Sequence, residues 1–261
     1  MFYLVFPPGR QAVFAAHTQI KLAADIQRKL VPPVAMQFND FEFYGLSIPS
    51  GTVGGDLLDV ITNQNSFLAY VADVAGHGVP AGVLMSMVKS GVRMRVRSLG
   101  VDDEGLLQAL NSTLQPLTSP NTYATFAYVA GAGDGRMSYS LAGHLPVPHF
   151  QKAESKVARC EIQNFPIAMF PLVRYDGGTL TCERGDIVAL ITDGLTEVFD
   201  KLGNELGIEH VERSLIEYHL KPLPEIAAEI MRECESFGVI SDDRTLLLLR
   251  VNGLSRCLVA C

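Results

Sequence analysis

The stretch TYATFAYVAGAGDGRMSYSLAG, residues 122–143, decides the fold class. TYATFAYVAG and GRMSYSLAG read as two strands, and Gly133-Asp134-Gly135 between them is a strong hairpin signal. An antiparallel pair therefore lies near the middle of the chain. Working outward, FEFYGLSI (41–48) alternates like a strand with one solvent-facing side, while SFLAYVAD (66–73) and DIVALITD (186–193) are nearly continuous apolar runs of strand length. A further strand pair is expected at 157–162 and 178–182, and a final strand over Arg244–Val251. Helices are expected over Pro80–Leu99, Asp103–Leu114, Ile208–His219 and Leu223–Phe237, the first opened by a proline where no backbone donor is needed. The apolar spacing from Ala12 to Leu30 predicts one more, an amphipathic helix stopped by Pro32-Pro33. Strands cluster around hairpin turns and helices come in pairs, which is the pattern of a layered α+β fold with antiparallel sheets.

The composition fits one large domain or one domain with a modest appendage. The chain has 261 residues, 48% of them apolar, enough for a sizeable core. Its net charge of −7 argues against nucleic acid as a main partner, because phosphate backbones demand a basic face. The one basic stretch, Lys89 with Arg93, Arg95 and Arg97, falls on an expected helix and reads as a solvated face. Five cysteines at 160, 182, 234, 257 and 261 show no metal-finger spacing, and their odd number suits a reducing, cytoplasmic setting. The opening MFYLVFPPGRQAVF is broken by two prolines and has no basic lead, so it reads as neither signal peptide nor membrane span.

Four aspartates sit where apolar strand-like runs meet tight loops: Asp56 in VGGDLLD, Asp73 closing FLAYVAD, Asp193 closing IVALITD, and Asp242 in SDDRT. Carboxylates so placed, on segments far apart in sequence, are what a shared divalent-metal site needs. Gly54 and Gly55 are expected to give Asp56 a backbone conformation that other residues resist. The glycine-rich loop after Asp73 lets a main-chain carbonyl, that of Val74, serve as a neutral ligand. Only oxygen ligands are on offer, so the expected ions are hard, Mg²⁺ or Mn²⁺. Four carboxylates over-supply one ion, and a pair of ions with a shared carboxylate resolves the excess. A water acidified between them would attack a phosphate ester, with no side-chain nucleophile required.

The ordered blocks AADIQRKLVPP, VGGDLLDV, VADVAGHGVPAGVLM, AGHLPVP, LITDGLTEVFDKLGNELG and SDDRTLLLLR resemble the metal-dependent protein phosphatases, more closely the SpoIIE-like branch related to type 2C enzymes. The resemblance runs over roughly residues 20–251. It implies a four-layer α-β-β-α sandwich with two central antiparallel sheets flanked by helix pairs. It implies a phosphatase domain over 34–252, an N-terminal segment with a linker-type helix over 1–33, and an irregular tail over 253–261. It further implies hydrolysis of phosphoserine or phosphothreonine on a protein, with the usual substrate of the branch a small anti-sigma-factor antagonist. Carried over motif by motif, Asp56, Asp73, Val74, Asp193 and Asp242 are the ligands, Asp73 bridging two Mn²⁺ or Mg²⁺ ions, and Asp243 stands behind them.

The sequence also departs from the family pattern. The common NAGH block reads Leu141-Ala142-Gly143-His144 here, and the first-loop histidine, His77, stands four residues after Asp73 instead of two. His77 and His144 are thus candidates for a place near the metals, with the general acid unassigned. Arg28 and Arg244 are the candidate phosphate clamps, each read first as structural. The competing functional reading is a catalytically silent module of the same fold that binds a sigma-factor regulator. An upstream sensor or receiver domain is expected from the branch. The apolar face of the Ala12–Leu30 helix is open between packing on its own core and forming a homodimer.

Overall fold

The computed structural model describes residues 21–253 apart from 23, 77, 102–104 and 120. Within them the chain forms a first helix α1 at 24–30, then β1 (Val34–Phe38), β2 (Phe41–Ile48), β3 (Leu57–Asn63), β4 (Ser66–Val74), α2 (Val79–Leu99) and α3 (Leu106–Leu114). It continues with β5 (Ala124–Ala132), β6 (Arg136–Ala142), β7 (Val147–Gln151), β8 (Lys156–Cys160), β9 (Gly178–Thr181), β10 (Ile187–Ile191), α4 (Glu209–Tyr218), α5 (Leu223–Phe237) and β11 (Arg244–Val251). One sheet has the order β1-β2-β11-β10-β7-β8 and the other β3-β4-β5-β6-β9, with every strand pair antiparallel.

The continuous apolar runs are explained by burial on both faces. Along β4, Phe67, Ala69 and Val71 point into the gap between the sheets, whereas Leu68, Tyr70, Ala72 and Val74 face the α2–α3 pair. Along β11, Leu247, Leu249 and Val251 enter the same gap, and Leu246 and Leu248 lie under α4 and α5. The result is the expected four-layer sandwich. An aromatic trio of Phe41, Phe43 and Phe67 joins the sheets, with ring centroids of Phe67 at 4.8 Å and 5.0 Å from the other two. At ~25 cal/mol per Å² of apolar surface, such two-sided burial is the main source of stability. The Gly133–Gly135 turn is the expected hairpin, its Gly135 in the left-handed region at φ 80°.

Several expectations are corrected. The segments 157–162 and 178–182 are not a pair: β8 joins β7 in one sheet and β9 joins β6 in the other. The second side of FEFYGLSI is not solvent-facing, because Tyr44, Leu46 and Ile48 pack beneath α5. Of the expected solvated face, Arg93 is exposed but Lys89 is not. Lys89 is only 7% exposed, and both reach Asp59 on β3: Arg93 donates from Nε and Nη2 at 2.8 Å each, and the Lys89 Nζ stands 3.2 Å away. The helical period of α2 hid this, since it puts residues four apart on one face without saying that a carboxylate waits opposite. Strands β1, β3 and β7 were not expected from the sequence at all. The helix before Pro32 ends at Leu30 as expected; its first part lies outside the described residues, as do His77 and the tail from 254. Among the described residues no helix is long and apolar enough to cross a membrane.

Candidate metal centre

The pleat places Asp56, Asp73 and Asp243, while Asp193 and Asp242 come from the turns beyond their strands. Phe67, Ala69 and Val71 face the gap between the sheets, so Asp73, two residues on, does as well; Leu58 puts Asp56 on that side of β3, and Leu247 puts Asp243 on that side of β11. The start of β3, the end of β4, the end of β10 and the start of β11 all lie at one mouth of the sandwich. Asp56 is 2% exposed and accepts a 2.7 Å hydrogen bond from Thr192 Oγ1, which ties the two sheets together. Asp73 and Asp193 are half-buried and share a cavity of about 270 Å³ with Thr125, His144 and Glu197. Asp242 is exposed, yet its charge acts on both Asp73 and Asp193.

Electrostatically the mouth is a concentration of uncompensated negative charge. Burial first, then Asp73, pushes the Asp56 carboxyl well above its usual range, against hydrogen bonds from Thr245 and Thr192. Burial followed by Asp193, Asp242 and Asp243 raises Asp73 to about 7. Burial, then Asp242 and Glu197, raises Asp193 to about 6. Among the described residues the leading charges that act on them are all carboxylates. The Asp193 Oδ1 atom is also buried without a hydrogen-bond partner among the described residues, a costly arrangement unless something positive meets it. All-oxygen donors, mutual repulsion and an orphaned carboxylate oxygen fit a hard divalent cation.

Asp243 has a different surrounding from its neighbours. Its Oδ1 accepts from Ser50 N at 2.7 Å and Ser50 Oγ at 3.0 Å, and its Oδ2 accepts from Gly55 N at 2.7 Å. Both oxygens are engaged, Oδ2 pinning the Gly54-Gly55-Asp56 loop and Oδ1 holding Ser50 at the end of β2. This corrects the sequence reading of the two glycines, neither of which has a positive φ. What they provide is space: a Cβ at 54 would lie 2.1 Å from Asp243 Oδ2, and one at 55 would lie 2.7 Å from the Val74 carbonyl oxygen. That carbonyl thus faces the loop carrying Asp56. Gly194 follows the same logic, since a Cβ there would stand 2.0 Å from the Asp243 carbonyl oxygen.

His144 is fully engaged. The Ile191 carbonyl, 2.9 Å from Nε2, requires a proton on that nitrogen, so Nδ1 accepts from Thr125 Oγ1 at 2.7 Å. Burial lowers its pKa to about 4, leaving a neutral ring that braces β10 against β5 and does not carry an acidic proton at neutral pH. Arg244 drops out as a phosphate clamp, because it turns to the α5 side and pairs with Glu235 at 3.1 Å. Arg28 pairs with Asp25 on the surface. Thr125, Thr192 and Ser50 gave no signal in the sequence. Glu197 did, standing four residues after Asp193 where a helical turn brings it back, with its N–H donating to the Asp193 carbonyl.

Gln27 of α1 was also missed. Its amide donates to Gly54 O and accepts from Gly54 N, both at 2.9 Å, so the helix before the domain holds the Asp56 loop from the other side. Gln27→Leu keeps the shape and strands both Gly54 groups. The expected result is a loss of about 1–3 kcal/mol in thermal or urea unfolding, with weaker divalent-cation binding in calorimetry; unchanged values would mean that Asp243 alone holds the loop.

Comparison with known proteins identifies relatives of the whole fold. The family model for stage II sporulation protein E (SpoIIE) matches residues 63–252. The phosphoserine phosphatase RsbU of Bacillus subtilis (strain 168) is 25% identical over 239 residues, covering 89% of this chain and 70% of the relative. The SiaA-PP2C domain of Pseudomonas aeruginosa superposes with a TM-score of 0.75 at 21% identity, over 92% of this chain and 98% of that one. RsbX, solved in complex with magnesium, superposes with a TM-score of 0.64 at 16% identity, over 84% of this chain and 99% of that one. The match to the SpoIIE model over most of the length, on a fold shared with PP2C domains, makes this chain a member of the SpoIIE family of PP2C-type phosphatase domains.

Proposed function

We propose that the chain is a metal-dependent protein serine/threonine phosphatase whose Asp56, Asp73, Asp193 and Asp242, with the Val74 carbonyl, hold two Mn²⁺ or Mg²⁺ ions. Its substrate is a phosphoserine or phosphothreonine on a small cytoplasmic regulator of the anti-sigma-factor antagonist type, a reading supported by the kinship to RsbU. The observation that carries the proposal is the convergence of these carboxylates at one mouth of the sandwich, with the Asp193 Oδ1 unpartnered. Bound ions would neutralise phosphoryl oxygens and lower the pKa of water. The chain's own groups do the rest: Asp243 and Gln27 fix the Asp56 loop, Thr192 orients the Asp56 carboxylate, and His144 walls the cavity. About 270 Å³ is small for a ligand pocket, which suits a phosphorylated side chain whose remaining affinity comes from protein surface. Residues 34–252 are the catalytic unit in this reading. The segment 1–33 is the route by which a sensor domain or a second copy would act on it.

Turnover of a phosphoserine peptide with and without Mn²⁺ tests the proposal. Asp193→Asn should lower metal-dependent turnover by at least about a hundredfold. Turnover that ignores the metal, or a variant as active as its parent, would sink the assignment. An inert parent that still captures its regulator would mark the catalytically silent module instead.

A further inference from the structure

The two ends of the sandwich differ in charge. Gly185 N donates to Val251 O at 2.6 Å, which places the entry to β10 and the exit of β11 together. The extended strands put that point about 25 Å from the aspartates. There a cavity of about 400 Å³ opens between the β7–β8 turn, the β9–β10 turn, the end of α4 and the end of β11. Lys152, Arg184 and Arg250 line it, with His219 and Asn252, and no carboxylate does so among the described residues. In a chain of net charge −7, cations from three separate segments meet around one hollow.

Nearby acids pair with Arg250 alone among the three cations. Asp186 stands at the end of the β9–β10 turn, but its Oδ1 accepts from Lys152 N at 2.9 Å, and its Oδ2 accepts from Glu183 N at 2.9 Å and His149 Nε2 at 3.1 Å; the exposed Glu183 pairs with no cation among the described residues. Those bonds turn Asp186 into the core. Arg250 forms the floor: its guanidinium donates to the carbonyls of His219 and Lys221 and stands 3.5 Å from Glu42. Lys152 and Arg184 are exposed, and neither forms an ion pair among the described residues. The Lys152 side chain lies over Gly185, where a Cβ would meet its Cδ at 2.3 Å and its Nζ at 3.1 Å. Gly185 has a φ of 96°, so the turn is shaped in a way that leaves room for that lysine. The His219 ring packs on Phe150 at 4.9 Å and commits its Nδ1 to Ile216 O, which leaves a flat wall beside the cations.

We propose that this cavity is a second binding site, remote from the metal centre, for a small phosphate-bearing molecule. Lys152 and Arg184 hold the phosphate, and the His219 wall takes the attached group. Its volume falls within the range of small-molecule pockets and exceeds the needs of a bare phosphate ion, so a phosphate ester of mononucleotide size or less is the class that fits. Ammonium and guanidinium groups without acidic partners are the donors that such an anion uses. The site does not depend on the phosphatase assignment.

Calorimetry on the full chain in EDTA tests this, because the metal-free aspartate mouth repels phosphate and cannot contribute. The probes are adenosine 5′-monophosphate, inorganic phosphate and adenosine. Saturable one-to-one binding of the monophosphate is expected, with weaker binding of inorganic phosphate and none of adenosine. Lys152→Ala/Arg184→Ala should weaken monophosphate binding at least about tenfold, while Asp73→Asn leaves it unchanged. Both altered residues in the double variant are exposed, and a matched thermal transition will show that it is folded. Absence of saturable binding, adenosine binding as well as its monophosphate, or equal affinity in the double variant would each overturn the proposal. So would a glutamate-rich peptide that needs Lys152 and Arg184 when phosphate esters do not bind, since the surface would then belong to an acidic protein partner.

Discussion

Asp73→Asn is expected to abolish metal-dependent phosphatase activity, by at least about a hundredfold, while making the metal-free protein more stable. The two effects share one cause. Asp73 lies among Asp193, Asp242 and Asp243 in a half-buried mouth, and burial together with their charges raises its carboxyl from 3.8 to about 7. A raised carboxyl means that the folded, metal-free protein holds the proton more tightly than the unfolded chain. Its favourable contribution is therefore complete below about pH 4 and disappears as pH rises through about 7. Asparagine carries no charge to repel, so the variant should gain about 1–4 kcal/mol over its parent at pH 8 and little at pH 4.5. Thermal unfolding in EDTA at the two pH values measures this directly. With Mn²⁺ present the order should reverse, because the parent gains a ligand and the variant loses one. A variant less stable than its parent in EDTA at pH 8 would show that Asp73 has a structural partner and that the charge argument is wrong.

How much of this was legible beforehand depends on which physical signal each feature leaves in a linear chain. The Gly133–Gly135 hairpin, α5 and β11 were readable because turn residues and apolar periodicity are local. The four aspartates were readable because each closes or precedes an apolar run; the pleat then fixes the side for Asp56 and Asp73 only, since Asp193 and Asp242 lie in turns beyond strands whose residues of the same parity, Ile191 and Leu246, face the helices. Strand β1 was not expected, since VAMQF follows two prolines and has only a few residues of pattern. The pairing of β8 and β9 with different sheets is a tertiary choice that no local pattern encodes. Likewise Lys89 looks like a surface cation until Asp59 is placed opposite it. Gln27 and Ser50 are polar residues like many others, and only the approach of the Gly54–Gly55 loop gives them roles.

Asp243→Ala should have the opposite sign from the Asp73 variant, with a loss of about 2–5 kcal/mol with or without metal. The residues stand at the same mouth and carry the same chemical group, so the surroundings decide. Asp73 is encircled by carboxylates; Asp243 is encircled by donors, two from Ser50 and one from Gly55. Alanine would leave the Ser50 and Gly55 N–H groups without their acceptor and open a void beside Gly54, whose missing side chain already makes room for that carboxylate. Asp243→Asn is the finer probe. Its amide keeps one acceptor oxygen but must present an NH₂ to either Ser50 N or Gly55 N, so it should recover part of the alanine loss and not all of it. Catalysis should suffer in both variants through displacement of Asp56, which the same loop carries, and weaker metal binding should accompany the slower turnover. Urea unfolding in EDTA, where no metal site contributes, isolates the structural role: equal stability of parent and alanine variant there would remove Asp243 from the clamp, and would require Gln27 alone to hold the loop against the sheet.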